Sequence, residues 1–122
     1  NNFFDKMPYD DIFERHNWSL HDTTSLRQDG TKPFVEKTGI NSKNAGERLW
    51  LRVERQTLRK LKRTGAILFT IRIYIDPLKE IVKFEGVAKR LNKALSVLSP
   101  EMQAYKQINT FSDSVQKFLD QF

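Results

Sequence analysis

The stretch that decides the fold is Arg48-Leu-Trp-Leu-Arg-Val-Glu-Arg-Gln-Thr-Leu-Arg-Lys-Leu-Lys-Arg-Thr-Gly-Ala-Ile-Leu-Phe-Thr-Ile-Arg-Ile-Tyr-Ile75. It reads as two β-strands joined by a tight polar turn. Leu49, Leu51 and Val53 alternate with Trp50, Arg52 and Glu54, the period-2 pattern of a half-buried strand. Lys62-Arg63-Thr64-Gly65 breaks the pattern, and Gly65 can take the positive φ that a hairpin turn often needs. Ile67, Phe69, Ile71, Ile73 and Ile75 then form one apolar face, with Ala66, Leu68, Thr70, Arg72 and Tyr74 on the other. Branched and aromatic side chains at alternate positions suit a pleated surface. A lone two-stranded hairpin is marginal in water, so this face must pack against something else.

The same stretch holds nearly all the charge asymmetry. Between Arg48 and Arg72 eight Lys or Arg residues face a single acid, Glu54, a net of +7 against +6 for the whole chain. The positive field is therefore local to the hairpin, and partners should be sought there first.

The 122 residues suffice for one modest core, and a single domain over 1–122 is expected: loop-rich at 17–47, a β-hairpin at 48–75 and helical at 77–122. No apolar run approaches the roughly 18 residues of a membrane span, and no signal-peptide layout opens the chain. With no Cys, disulfides, thiolate-ligated cofactors and Cys-based zinc sites are excluded, and a cytoplasmic location is expected. The first residue is Asn1, not Met, which suggests a trimmed chain.

Along the rest of the chain, Tyr9, Ile12 and Phe13 fall at i, i+3, i+4, so a short helical or irregular entry is expected before Asn17, docked by Phe3, Phe4, Tyr9 and Phe13. Trp18 to Asp22 reads as a short edge strand. Thr23 to Gly46 carries loop signals, with Pro33-Phe34-Val35 as its apolar anchor. Asp76 and Pro77 predict a helix start. Apolar residues from Leu78 to Leu98 then predict an amphipathic helix of about five turns, weakened at Gly86. Ser99 caps a further short helix, and a last one starts near Thr110.

Strand alternation places Arg52, Glu54 and Gln56 on one face of the first strand and Arg55 and Thr57 on the other. Two readings are open. These residues are a solvated face with cross-strand pairs such as Glu54 with Arg72 or Arg63. Or Glu54 and an Arg are partly buried and hold a ligand. His16 and His21 are the only imidazoles, so any haem iron would have to be ligated by one of them if a histidine serves. No Ser–His–Asp set, P-loop or dinucleotide fingerprint is present. The basic hairpin fits an anionic cofactor or an acidic protein about as well as nucleic acid.

The run from Glu54 to Tyr74, preceded by Leu51-Arg-Val and followed by Asp76-Pro-Leu, resembles the haem-dependent oxidative N-demethylase family, specifically its α-subunit-like proteins. Weaker likenesses extend back to Asn17-Trp-Ser-Leu-His-Asp22 and forward to Ser99-Pro-Glu-Met-Gln-Ala-Tyr-Lys106. The resemblance covers the C-terminal part of longer proteins, so a fragment is expected. It implies an α+β fold: a partial PAS-like antiparallel sheet built on the central β-hairpin, packed by a long helix and C-terminal helices. It also implies haem as cofactor, O2-dependent oxidation of a small methylated amine, and a separate reductase component. By that resemblance Glu54, Arg55 and Gln56 would be catalytic. Arg52, Arg72 and Thr57 would contact the cofactor. The resemblance carries over no iron ligand; His21 as a further cofactor contact, and His21 or His16 on the iron, are expected only because they are the imidazoles available. An incomplete sheet favours a homodimer, or a missing N-terminal segment as partner. The rival expectation is a non-catalytic binding module or haem sensor whose basic hairpin docks an anionic partner, with nucleic acid the less favoured candidate.

Overall fold

The computed structural model describes residues 6–24 and 39–122. Its elements are β1 (Ile12–His21), α1 (Ala45–Arg48), β2 (Trp50–Lys60), β3 (Ile67–Pro77), α2 (Leu78–Ile81), α3 (Val87–Ser96), α4 (Pro100–Tyr105) and α5 (Ser112–Leu119). The class is α+β. One antiparallel sheet has the order β1-β2-β3, and the helices follow it in sequence. Phe3, Phe4 and Pro33-Phe34-Val35, expected to anchor the entry and the loop, lie outside the described residues.

The hairpin between β2 and β3 forms as its sequence predicts. The Leu61 N–H donates to the Ala66 carbonyl at 2.8 Å and the Gly65 N–H to the Leu61 carbonyl at 2.8 Å. Gly65 has φ +69°, a conformation that costs a Cβ-bearing residue about 1–2 kcal/mol. The Thr64 hydroxyl accepts from the Ala66 N–H at 3.1 Å. At the far end the Leu78 N–H donates to the Leu49 carbonyl at 2.9 Å. Leu61 with Ala66, Thr57 with Thr70 and Leu49 with Leu78 all fall in one antiparallel register, each step along β2 matched by one step back along β3, so no bulge interrupts the ladder.

That register sorts the side chains. Gln56 lies opposite Ile71 and Glu54 opposite Ile73, while Arg55 lies opposite Arg72. Glu54 and Arg72 thus project from opposite faces, which rules out the cross-strand pair between them that the sequence suggested.

Two compact units divide the chain: Asn1–Trp18 with Val53–Tyr74, and Ser19–Arg52 with Ile75–Phe122. The second unit holds the hydrophobic core. Leu20, Leu49, Leu78, Leu95, Ile108, Phe111, Val115 and Leu119 are almost wholly buried there. In it α1 packs on α2 and α5, and α3 packs on α5. Gly46 permits the approach of α1 to Phe118 of α5: a Cβ there would stand 2.8 Å from Cζ of Phe118. In the first unit, among the described residues, Met7 is the one buried apolar side chain. Phe69 and Ile71 are each 49% exposed, so the isoleucine face of β3 is only partly covered.

Three local expectations are corrected. Residues Ile12 to Asn17 are strand, not helix, and belong to a ten-residue β1. The helix expected from Leu78 to Leu98 is two helices: α2 ends at Ile81 with Val82 as its C-cap, and α3 begins after Gly86, which adopts φ +78° as a left-handed N-cap. Asp76 does not cap a helix: β3 runs on to Pro77, which is the extended residue before α2. Ser99 does cap α4, its hydroxyl accepting from the Met102 N–H at 3.1 Å. The short helix α1 lies where the sequence signals loop.

Candidate functional site

The polar cluster of the first unit is built across β1 and β2. Gln56, at 8% exposure, is among the few buried polar residues of the described chain. A buried amide must be hydrogen-bonded to be tolerated, and this one is satisfied from both sides. Its Oε1 accepts from the Arg15 Nε–H. Its Nε2 donates to Oε2 of Glu54 at 3.1 Å. The result is a directed chain in which Arg15 fixes Gln56 and Gln56 fixes the Glu54 carboxylate. By the hairpin register the isoleucines of β3 flank it, Ile71 beside Gln56 and Ile73 beside Glu54. A half-buried carboxylate with an apolar border and a preset orientation is chemically suited to hold an organic cation.

The opposite face of the same strands carries ion pairs. Arg55 donates to Glu14 with both ends of its fork, Nε to Oε1 at 2.8 Å and an Nη to Oε2 at 3.2 Å. That hydrogen bond holds the Glu14 carboxyl below its ordinary range and raises the Arg55 guanidinium. His16 Nε2 lies 3.3 Å from the same Glu14 oxygen. Arg59 pairs with Asp10 at 3.1 Å, Thr57 and Thr70 join hydroxyls, and Arg72 lies over the Tyr74 ring at 5.1 Å.

The residues named from the sequence are therefore split as strand alternation required. Glu54 and Gln56 share one face with Arg15, which sequence reasoning missed. Arg55, Thr57 and Arg72 share the other with Glu14 and His16. In the second unit Arg52 is buried, at 7% exposure, and Nε2 of His21 lies 2.7 Å from the Ser19 hydroxyl.

The run of residues 1–116 matches the family model described as "Haem-dependent oxidative N-demethylase, alpha subunit-like". The chain belongs to that family. The match spans the strands, the hairpin and most of the helical segment, so the polar cluster lies wholly inside it.

The family description implies haem, and the described residues meet that implication in part. Guanidinium groups suited to carboxylates are present on both faces of β2. Nε2 of each histidine is engaged by a side chain of its own strand, His16 by Glu14 and His21 by Ser19, and His16 is 58% exposed. Among the described residues no group of three or more His, Asp or Glu is placed to hold a metal ion. No step through iron is derived from these residues. Among the described residues no helix is long and apolar enough to cross a membrane.

Proposed function

We propose that this chain is a PAS-like module of a haem-dependent oxidative N-demethylase alpha-subunit-like protein, and that its Arg15–Gln56–Glu54 chain recognises the cationic amine substrate. The observation that carries this reading is the buried Gln56, which orients a carboxylate at an apolar border. A small methylated amine is protonated at neutral pH, so it combines one positive charge with a compact apolar body. Glu54 answers the charge, and Ile71 and Ile73 answer the methyl groups.

In this reading haem would supply oxygen activation, and the chain's own residues bind and orient. Glu54 touches the substrate ammonium. Gln56 and Arg15 are positioning residues that act through Glu54. Arg72, which lies over the Tyr74 ring, is the guanidinium that would meet carboxylate groups such as propionates, and Thr57 is held by Thr70. Calorimetric titration of the whole chain with dimethylammonium tests the reading. Saturable binding that Glu54→Gln weakens about tenfold or more is expected, as for loss of a charge-assisted hydrogen bond worth about 1.5–3 kcal/mol. Equal binding by both proteins would end the substrate assignment. A parallel titration with hemin, read at the Soret band, reports on the cofactor separately.

A second reading concerns the hairpin tip. Lys62 and Arg63 are exposed and have no ion-pair partner among the described residues, whereas Arg55, Arg59, Lys79 and Lys83 are each paired with an acid. This favours docking of an acidic partner, such as a separate electron-donating subunit, at the turn. A salt-sensitive association that Lys62→Glu/Arg63→Glu abolishes is the expected result.

A further inference from the structure

Arg15 differs from the other arginines between β1 and β2 in what it holds. Arg55 pairs with Glu14 and Arg59 with Asp10, so an acid answers each of those charges. Arg15 gives its Nε–H to Oε1 of Gln56, a neutral amide. Among the described residues its two Nη groups have no hydrogen-bond or ion-pair partner. Four of the five N–H donors of a guanidinium sit on those two nitrogens, and Arg15 is exposed. The group is thus pinned at one nitrogen and keeps a charged, planar edge for an anion.

The other end of the same chain of hydrogen bonds is a carboxylate. Nε2 of Gln56 donates to Oε2 of Glu54 at 3.1 Å, and Glu54 is half-buried. One amide group and two hydrogen bonds therefore separate a fixed cation from a fixed anion, and the amide between them is buried. An ammonium and a carboxylate carried on one carbon atom, each with its own hydrogen bond to the protein, span a similar distance. Opposite charges at the two ends, with a neutral group between, are complementary to a zwitterion.

We infer, on the reading that Glu54 meets the substrate ammonium, that the substrate class is an N-methylated α-amino acid whose carboxylate lies across the Nη edge of Arg15. Arg15 then has two duties. Its Nε–H positions Gln56, and its Nη groups grip the carboxylate as a planar fork, a geometry that guanidinium matches and ammonium does not. The N-methyl group sits beside Glu54, where the register places Ile71 and Ile73. A plain amine would leave Arg15 without an anion, and a plain carboxylate would face Glu54, so the pair of charges selects against both.

Calorimetric titration of the whole chain at pH 7 with N-methylglycine, N-methylglycinamide and dimethylammonium tests the assignment. All three carry a secondary ammonium, and only the first has a carboxylate. N-methylglycine should bind about tenfold or more tightly than its amide, the change expected of one charge-assisted hydrogen bond. Arg15→Gln should bring that ratio close to one. An Arg15 that only positions Gln56 would, on removal, weaken both ligands alike and leave the ratio unchanged. The ratio in the unaltered chain needs no variant to fold. Equal affinities for acid and amide, with dimethylammonium still bound, would overturn the zwitterion assignment and leave the amine reading standing. Failure of all three ligands to bind would end both. Binding of N-methylglycine that Glu54→Gln does not weaken would mark a plain anion site and overturn the assignment as well.

Discussion

Arg55 on β2 grips Glu14 on β1 through both carboxylate oxygens, on the sheet face opposite Gln56. The pair is exposed, so its effect is read best through pH. The Glu14 carboxyl is held below its ordinary value of 4.5, chiefly by the Arg55 hydrogen bond, with weaker help from His16. A carboxylate depressed in the folded state contributes stability above its unfolded pKa and loses it as pH falls through the folded one. The contribution should therefore be present at pH 7 and fade below the ordinary carboxylate range. Glu14→Gln should lower the urea midpoint at pH 7 and leave it nearly unchanged in strong acid. A midpoint lowered equally at both pH values would show that the pair's charge is immaterial.

Gly65 should tolerate no side chain without cost, yet the cost should come from backbone alone. No atom lies within 4 Å of a Cβ built there, and φ is +69°. Gly65→Ala should lower stability by about 1 kcal/mol, and Gly65→Asn by less, since Asn enters the left-handed region more readily. Urea denaturation of both variants measures the difference.

Gly46 differs in kind. Its added Cβ would meet Cζ of Phe118 at 2.8 Å and Cε2 at 3.0 Å, so the penalty is steric. Gly46→Ala should cost about 1–3 kcal/mol, as overpacked cores do. Phe118→Leu in the same chain should recover part of it. A double variant no more stable than the sum of the singles would place the strain elsewhere.

Much of the hairpin was legible because its information is local. Alternation fixed Glu54 and Gln56 on one face and Arg55 and Thr57 on the other, and Gly65 marked the turn. Ser99 announced its helix for the same reason. What stayed hidden depended on distant partners. Residues Ile12 to Asn17 show no alternation, and the spacing of Tyr9, Ile12 and Phe13 imitates a helix. Their strand exists because β2 pairs with it, through Glu14 with Arg55 and Arg15 with Gln56, each 41 residues away in sequence. Arg15 could be found only by setting the charges of β1 against those of β2 in the right register. Gly86 was visible as a weak point in a helix, but its left-handed backbone, which stands at the N-cap of α3, is a matter of conformation that composition does not specify.

Gln56→Leu isolates positioning from charge. The variant keeps the Glu54 carboxylate but removes the amide that links it to Arg15. Affinity for dimethylammonium should fall less than in Glu54→Gln. In Gln56→Leu/Glu54→Gln it should fall no further than in Glu54→Gln alone, because Gln56 acts only through that carboxylate. Additive losses would mean that Gln56 meets the ligand itself.

The substrate assignment is tested most directly by heteronuclear NMR of the whole chain during titration with dimethylammonium, following the Gln56 side-chain amide and the Arg15 Nε–H. The account predicts saturable shifts at both groups and at the Glu54 carboxyl carbon, absent in Glu54→Gln. Shifts confined to the helical segment 78–122, or none at saturating amine, would contradict it.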